Sequence, residues 1–466
     1  MSDITTKGLL HPQIPHVKKL IDSLYINGFA VDMSDTGTGK MFCASAVARE
    51  LNVPTFVISP KSIIPQWKKV IKIFDIKPLD IINYEKISRG NTKWLKWKKL
   101  PNPEYSPSVR SRKKETADIP VFNLPPHSLV IVDEAHKCKG TDSLNSWLLV
   151  ALKLQGYKVL LSSATAATSP LDMKAFGFVT NMHKLYNYSG FCLQFGAEWT
   201  GRFGTMTWDA EKQKSKMRDA HDYLQNAVKC ASRLTVDMFG DLFPESQIVA
   251  EAYSLGANEK KLQKVYDDME YELARLEERT ENYSQHIFAI MMKARRLAEL
   301  VKVPLFVEMA KELYDEGKSV VLFVNFDDTV QGISSRLNKL IDSKQIGFVV
   351  GGQTDKAREA DINAFNADTK RILVVNIAAG GTGISLHDLN GNHPRASILS
   401  PTWSPLAMRQ ALGRIYRAEA KTRVYQRIVY GAGCIEENIC RRVQAKLNNL
   451  DTLNDGDVNE AAQFFA

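Results

Sequence analysis

A glycine-rich stretch near the N-terminus, SDTGTGKM at 34–41, has the residue types that bind phosphate groups. Glycines let the backbone curl so that successive N–H groups face one anion, and Lys40 supplies a cation for the β- and γ-phosphate oxygens. The residues that follow, MFCASAVAREL, predict a helix whose N-terminal dipole adds to this attraction. We therefore predict a nucleotide site that contains Thr36, Gly37, Thr38, Gly39 and Lys40.

One residue of this stretch departs from the usual pattern. Loops of this kind place a serine or threonine after the lysine, where the hydroxyl ligates Mg²⁺. Met41 offers a thioether instead, which is too soft a donor for a hard cation. We expect water to fill that coordination position, with weaker metal binding or slower turnover as the result.

A pair of carboxylates follows about ninety residues later, in SLVIVDEAHKCKG. Asp133 and Glu134 end an apolar run, where one carboxylate can hold the magnesium shell while its neighbour orients or deprotonates the attacking water. Two carboxylates at the end of a buried strand would be costly without a cation. We therefore expect ATP and Mg²⁺ as cofactors, with Asp133 as metal ligand and Glu134 as base.

The elements that must position these residues alternate along the chain. Short β-branched runs are separated by longer stretches of helical periodicity, which is typical of α/β proteins with parallel sheets. Residues 258–303 have few helix breakers and predict a helical connection between two sheets. The predicted strands are FAVDM, TFVISP, LDIINYE, SLVIVDE and KVLLSSAT in the first half, and SVVLFVNF, IGFVVGG, RILVVNI, ASILSP and RVYQRIVY in the second.

The charge of the chain is concentrated in one segment. The formal net charge is +9, and residues 86–118 contain ten basic and three acidic side chains. A polyanion is the natural partner of such a patch, because binding it releases counterions; the alternative is a solvated loop. We interpret 91–120 as an irregular insertion. Its Trp94 and Trp97 either stack on unpaired bases or pin the insertion to the protein.

Composition excludes several classes of protein. The chain of 466 residues is 44% hydrophobic and 24% charged, and it has no apolar run long enough for a membrane span. Its N-terminus lacks the order of a secretory signal, so we expect a cytoplasmic protein without membrane contact. The six cysteines form no CxxC pair and the nine histidines no HxxxH or HExxH spacing, which argues against a zinc site or a disulfide framework.

The ordered set of motifs resembles the superfamily 2 helicases, and among them the Swi/Snf-type double-stranded DNA translocases. The resemblance extends from about residue 9 to about residue 447. The segments that carry it are LLHPQIPHVKKL, the phosphate loop, VISPKSIIPQW, IINYEKI, DEAHKCKG, LSSATA, SVVLFVNFDDT, NIAAGGTGISL, SPTWSPLAMRQALGRIYR and CIEENI.

The resemblance implies a role for residues that spacing alone does not assign. It makes Gln13 the adenine-sensing residue, Gln410, Arg414 and Arg417 the catalytic residues of the QxxGRxxR motif, and His136, Ser163 and Thr165 the coupling residues. The two arginines would reach the γ-phosphate held by the other lobe. Gly383 would join the nucleotide site, and the nucleic acid would contact Lys61, Gly381, Thr382 and Trp403. Asn376 and Ile377 replace the Ser-Thr of many relatives, which weakens the expected contact there.

The implied fold is α/β, with two RecA-like parallel-sheet lobes in tandem and a helical linker. The expected boundaries are 1–235 for lobe 1 with the basic insertion at 91–120, 236–303 for the linker, 304–450 for lobe 2 and 451–466 for an acidic tail. The tail, with its terminal phenylalanines, is a candidate contact for a protein partner.

The implied function is that of a monomeric motor that moves along duplex or branched DNA, with little sequence specificity, as it hydrolyses ATP. Two alternatives stay open: an RNA helicase, and an ATP-gated DNA-binding protein with weak hydrolysis that recruits partners. A chromatin remodeller is disfavoured, because the sequence shows no histone-reading appendage.

Overall fold

The computed structural model describes residues 6–431 apart from short gaps. The described chain divides into two compact units, which meet in sequence between Gly240 and Asp241. The gaps are 36, 91, 108–112, 140, 164–168, 201–204, 210–211, 214, 217–218, 220–222, 225–227, 243–245, 254, 256–257, 276–282, 381–383, 403–404 and 419. The predicted acidic tail, 451–466, lies outside the described residues.

The first unit is built on a parallel sheet of six strands in the order β10-β1-β7-β6-β2-β3. Two antiparallel hairpins, β4-β5 and β8-β9, accompany it. Its strands are β1 (Phe29–Asp32), β2 (Thr55–Ser59), β3 (Asp80–Asn83), β4 (Leu95–Pro101), β5 (Thr116–Phe122), β6 (Leu129–Asp133), β7 (Lys158–Ser162), β8 (Glu198–Thr200), β9 (Thr205–Thr207) and β10 (Ala231–Ser232). Its helices are α1 (Gln13–Ile26), α2 (Lys40–Leu51), α3 (Ile64–Ile73), α4 (Tyr84–Ser88), α5 (Leu144–Leu154), α6 (Lys174–Val179) and α7 (Tyr188–Gln194).

The second unit has its own parallel sheet of six strands, in the order β11-β16-β15-β12-β14-β13. Its strands are β11 (Ser246–Tyr253), β12 (Ser319–Val324), β13 (Ile346–Val349), β14 (Ile372–Asn376), β15 (Arg395–Leu399) and β16 (Val424–Gly431). Its helices are α8 (Glu259–Ala274), α9 (Tyr283–Val301), α10 (Val303–Asp315), α11 (Asp327–Leu337), α12 (Asp355–Asn366), α13 (Ile377–Gly380) and α14 (Pro405–Leu412).

All ten predicted strands are confirmed, as are the two parallel sheets. The central strands β1, β2, β6, β12, β14 and β15 are buried along their whole length. Strands covered on both faces need apolar side chains on both, which explains why the β-branched runs are continuous. The chain therefore has the predicted α/β fold with two RecA-like lobes.

Two segments differ from the sequence-based prediction. The insertion at 91–120 is not irregular, because β4 and β5 pair along their length from Leu95 opposite Phe122 to Pro101 opposite Thr116. The range 236–303 contains two packed helices, α8 and α9, but also β11, which joins the second sheet beside β16. The predicted linker is therefore not wholly helical; its boundaries stay a prediction. In the described part of the chain, no helix is both long and apolar enough to cross a bilayer.

Candidate nucleotide site

The phosphate loop follows β1 and leads into α2. Gly37 and Gly39 have φ angles of 92° and 89°, in the left-handed region that favours glycine. The loop curls around its own lysine, because Lys40 Nζ donates hydrogen bonds to the carbonyl oxygens of Ser34 and Asp35 at 2.8 and 2.9 Å. Lys40 is also the first residue of α2, so its backbone N–H belongs to the helix end that attracts anions.

Gln13 lies against this loop from the start of α1. Its Nε2 donates to the Thr38 carbonyl oxygen at 2.8 Å, and its Oε1 accepts from the Leu10 N–H at 2.8 Å. A Cβ atom on Gly39 would collide with Gln13 Nε2, so a larger residue there would have to displace the Gln13 amide from the loop. The contact ties the predicted adenine-sensing residue to the phosphate loop, while its role toward adenine stays a prediction.

Residues after β10 hold the other side of the loop, which sequence analysis did not anticipate. Arg233 Nη2 lies 2.7 Å from Asp35 Oδ1. The Asp35 N–H donates to the Leu234 carbonyl oxygen at 2.9 Å, and the Leu234 N–H donates to Ser34 Oγ at 2.9 Å. The loop is therefore fixed by a segment about two hundred residues away in the sequence.

A buried aspartate-histidine pair also lies beside the loop and was missed. Asp32, at the end of β1, is fully buried, and its Oδ1 accepts from the Ser34 N–H at 3.0 Å and lies 3.3 Å from His16 Nε2. His16 Nδ1 in turn lies 2.8 Å from Ser232 Oγ. Burial opposes ionisation of this carboxyl, but His16 and Lys40 keep the pKa of Asp32 below its ordinary value.

Asp133 is the last residue of β6, and Glu134 follows it. The end of β6 lies level in the sheet with the end of β1, from which the phosphate loop starts. Asp32 and Asp133 are both register partners of Ser162 on the intervening strand β7. Trp67 Nε1 donates to Asp133 Oδ2 at 2.7 Å, and the Tyr84 hydroxyl donates to the Asp133 carbonyl oxygen at 2.6 Å. Two buried aromatic side chains therefore fix the position of Asp133.

Glu134 leads on to the predicted coupling residues. Its φ angle of 54° is left-handed, a strained conformation for a residue with a side chain, and such strain is concentrated at functional sites. Glu134 Oε2 lies 3.2 Å from His136 Nδ1, and the same nitrogen lies 3.2 Å from Ser163 Oγ. The structure thus brings three of the predicted residues together.

Electrostatics link the lysine to the carboxylates. Desolvation lowers the pKa of Lys40, while Asp32, Glu134, Asp35 and Asp133 oppose that shift. Burial and the Glu134 charge raise the pKa of Asp133 to about 7, against the hydrogen bond from Trp67 and the charge of Lys40. A carboxylate in such a place is stabilised by an additional cation.

The donor set fits magnesium better than a transition metal. Among the described residues, no three histidine, cysteine or acidic side chains form a cluster that could hold a metal ion. Magnesium is commonly held by one or two carboxylates together with phosphate oxygens and water. Asp133 supplies such a carboxylate, and half-buried Met41 supplies no oxygen, so the residues present are compatible with a magnesium ion that arrives with the nucleotide.

The predicted arginines of the second unit share one contact. Arg414 Nη1 and Arg417 Nη2 donate to the Ile384 carbonyl oxygen at 3.5 and 3.2 Å, and Arg414 is buried. The Leu386 N–H donates to the Arg414 carbonyl oxygen at 2.9 Å. Gln410, which is also buried, lies on α14. The QxxGRxxR motif is therefore packed against the segment that directly follows the predicted Gly381–Gly383 turn.

Of the remaining predicted residues, the structure describes two and leaves six outside its described part. Lys61 is exposed at the start of a short 3-10 helix directly after β2. Asn376 is engaged inside its own unit, with its Nδ2 bonded to Asp327 Oδ1 at 2.7 Å. Six predicted site residues lie outside the described part of the chain: Thr36, Thr165, Gly381, Thr382, Gly383 and Trp403.

Comparisons with known proteins match the chain to helicases. Residues 301–419 match the family described as Helicase conserved C-terminal domain. The chain is 32% identical, over 98% of its length and 86% of the relative, to a protein of Acanthamoeba polyphaga mimivirus named "Putative ATP-dependent RNA helicase". It is 23% identical to the "DNA repair and recombination protein RAD54-like" of Drosophila yakuba, over 87% of this chain and only 56% of that longer protein.

A solved structure with a weak overall similarity is the Sulfolobus solfataricus SWI2/SNF2 ATPase core in complex with dsDNA. It is 17% identical, with a TM-score of 0.38 over 98% of this chain and 99% of that one.

Two parallel-sheet lobes, with a phosphate loop and a paired carboxylate on the first, define a two-lobed ATPase of the helicase class. The chain belongs to the helicases, and its matches to a helicase and to a RAD54-like relative support the Swi/Snf-type group of superfamily 2. It is accordingly a nucleic-acid-dependent ATPase.

Proposed function

We propose that this protein is an ATP-dependent DNA translocase that acts on duplex or branched DNA. One observation carries the proposal: the phosphate loop and the Asp133-Glu134 pair lie at the same level of the first sheet, at its carboxyl edge. That arrangement supports ATP hydrolysis. The choice of DNA rests on the relative from Drosophila yakuba, whose name assigns it to DNA repair and recombination.

In the proposed mechanism, each residue has one task. Lys40 leaves the carbonyl oxygens of Ser34 and Asp35 and binds the phosphate oxygens of the nucleotide. Asp133, held by Trp67, would be the protein ligand of a magnesium ion that binds with ATP, and such an ion would supply positive charge against the phosphates. Glu134 orients the attacking water and accepts its proton.

The remaining tasks concern coupling and movement. Arg414 and Arg417 stabilise charge on the γ-phosphate in the transition state, a contribution of about 10³-fold to 10⁵-fold in related enzymes. His136, which contacts Glu134, and Ser163, which contacts His136, couple hydrolysis at Glu134 to movement along the nucleic acid. Lys61 binds the nucleic-acid backbone without reading sequence. We retain the predicted domain boundaries, including 1–235 for lobe 1 and 304–450 for lobe 2, as part of this proposal.

An RNA helicase is the second candidate, because the relative with 32% identity carries that name. The two candidates differ in the polymer that stimulates hydrolysis. ATPase rates of the full chain with duplex DNA, single-stranded DNA, single-stranded RNA and duplex RNA separate them. We expect the largest stimulation with duplex DNA; stimulation by RNA alone favours the helicase.

Movement requires its own measurement. A triplex-forming strand bound to the duplex should be displaced in an ATP-dependent manner by a translocase. If duplex DNA stimulates hydrolysis and the third strand is never displaced, the protein is an ATP-gated clamp and not a motor.

The assignment of the base is tested by Glu134→Gln. The variant should bind ATP as the wild type does and hydrolyse it roughly 10²-fold to 10⁴-fold more slowly, because general-base catalysis is lost. Glu85→Gln, at an exposed carboxylate of the same unit, is the matched control and should hydrolyse at the wild-type rate. A Glu134→Gln protein with wild-type turnover contradicts the assignment.

A further inference from the structure

The basic insertion contains the β4-β5 pair, which is attached to the first unit, and both of its tryptophans are engaged in that attachment. Trp97 Nε1 donates to the Ser88 carbonyl oxygen at 2.9 Å, and its ring lies against Gly90, where a Cβ atom would come within 2.8 Å. Trp94 Nε1 donates to Asp80 Oδ2 at 2.9 Å. Of the two roles open at the sequence level, the structure supports the pinning role.

The far end of the hairpin is attached as well. Glu104, in the connection between β4 and β5, is buried and forms ion pairs with Lys174 of α6 and with Lys113, the latter at 2.6 Å. Lys174 Nζ also lies 3.1 Å from Asp142 Oδ1. A loop that served only to keep the protein soluble would not need a buried carboxylate and a buried lysine to hold it.

The strand β4 presents lysines on an exposed face. Lys96 and Lys98 are exposed, and alternation along a strand places both on one face and Lys99 on the other. Neither Lys96 nor Lys98 forms an ion pair with the described residues. Their cross-strand partners, Val121 and Ile119, are uncharged, whereas Lys99 stands opposite Asp118. The Lys96-Lys98 face therefore carries uncompensated positive charge.

The hairpin is also attached at the edge of the sheet where a nucleic-acid contact is expected. Ser59 and Asn83 are register partners at the carboxyl ends of β2 and β3. Lys61 follows the first of these strands and α4 follows the second, and Trp97 is bonded to Ser88, the last residue of α4. The hairpin and the candidate contact Lys61 thus start from neighbouring strand ends.

We infer that the Lys96-Lys98 face of the β4-β5 hairpin is a second binding surface for the phosphate backbone of duplex DNA. The inference rests on the proposed function and extends it from the motor motifs to a segment outside them. Exposed lysines on a strand that is attached at both ends favour a regular polyanion, and backbone contacts of this kind add affinity and position without sequence specificity. Both tryptophans are engaged in attaching the hairpin through their indole N–H groups, which favours duplex over single strands.

The test compares the full-length wild type with Lys96→Gln/Lys98→Gln in binding to a short fluorescein-labelled DNA duplex over a range of salt concentrations. Loss of two phosphate contacts should weaken binding and reduce the slope of log K against log salt by about 1.8, at about 0.9 for each contact. The DNA concentration for half-maximal ATPase stimulation should rise, and turnover at saturating DNA should stay at the wild-type value. Circular dichroism and thermal unfolding check that the variant is folded.

Adjacent residues supply the matched control. Lys98→Gln should weaken binding, whereas Lys99→Gln, which removes the same charge from the opposite face, should leave it nearly unchanged. The inference is overturned if Lys98→Gln and Lys99→Gln lose the same DNA affinity, or if the double variant binds DNA as the wild type does. It is also overturned if the same titration with duplex RNA shows a loss of affinity that duplex DNA does not show. If the wild type itself shows no stimulation by any DNA, the proposed function fails instead.

Discussion

Met41 stands where a hydroxyl would complete the coordination of Mg²⁺. The side chain follows Lys40 in the first turn of α2 and is half-buried. Because a thioether is a poor ligand for a hard cation, the proposed function assigns that position to water when magnesium binds with the nucleotide. The substitution therefore acts on metal affinity and not on the fold of the loop, whose hydrogen bonds involve other residues.

We predict that Met41→Thr lowers the free magnesium concentration needed for half-maximal ATP hydrolysis by at least roughly 10-fold, because the hydroxyl would be a direct ligand and even outer-shell partners contribute about 10-fold to 100-fold. Turnover at limiting magnesium should rise. Steady-state ATPase rates in a magnesium titration check this. Met41→Leu keeps an apolar side chain without oxygen and should behave as the wild type. Identical magnesium dependence in the threonine and leucine variants contradicts this explanation of the loop.

Sequence spacing predicted Lys40, Asp133 and Glu134 because loop glycines and strand-end carboxylates are local patterns. The side chains that support them were not predictable in this way. Trp67 donates to Asp133 across 66 residues of sequence, and Arg233 reaches Asp35 across 198. Such contacts depend on which strands become neighbours in the sheet, and a pattern along one segment carries no information about that.

At the scale of the element, the phosphate loop depends on one backbone conformation and one close contact. Gly39 combines a positive φ with a van der Waals approach to Gln13 that leaves no room for a Cβ atom. Gly28, before β1, has a φ of 77° and nothing within 4 Å of a Cβ atom. Alanine substitutions at the two glycines therefore separate the cost of backbone strain from the cost of losing the contact with Gln13.

Gly39→Ala should lower the free energy of unfolding by about 2–4 kcal/mol, because left-handed strain of about 1–2 kcal/mol is joined by loss of the Gln13 hydrogen bond. Nucleotide binding should fall with it. Gly28→Ala should show the strain alone, about 1–2 kcal/mol, and keep its affinity for ATP. Urea unfolding and titration with a fluorescent ATP analogue measure both. Equal destabilisation of the two variants would show that the contact with Gln13 contributes nothing.

The elements that sequence predicted well are those with one dominant pattern. The ten predicted strands are short apolar runs rich in β-branched residues, and all ten are strands in the structure. The hairpin was missed because β4 is mostly lysine and tryptophan, and β5 contains Pro120, which sits opposite Trp97. Such composition indicates a loop unless the tertiary contacts of Trp94, Trp97 and Glu104 are known. Strand β11 was missed because, among the described strands, its partner is β16, which lies far from it in the sequence.

At the scale of the whole molecule, each unit has a hydrophobic core of its own. Polar groups at the margin of a core decide how the unit responds to pH. In the second unit, His387 is largely desolvated, and desolvation together with Arg417 and Arg395 lowers its pKa from 6.5 to about 4, against the opposing charge of Asp388. The folded protein therefore keeps this imidazole neutral under conditions in which the unfolded chain protonates it.

The sign of the pH dependence follows from this difference. Below pH 6.5 the unfolded chain binds a proton that the folded chain does not, so stability should fall as the pH drops from about 6.5 to about 4. The loss from this group should reach about 2 kcal/mol at pH 5 relative to pH 7. His387→Gln cannot take up the proton in either state, so its unfolding free energy should lack this decline.

Urea unfolding of the second-unit signal at pH 5 and pH 7 measures the effect. His286→Gln is the matched control, because His286 is an exposed histidine of the same unit and its substitution should leave the decline in place. If His387→Gln loses as much stability between the two pH values as the wild type, acid sensitivity arises from other groups. If it alone is resistant, the desolvated imidazole of His387 sets the acid limit of the second unit, and one of the charges that lower its pKa is Arg417 of the motif proposed to act in hydrolysis.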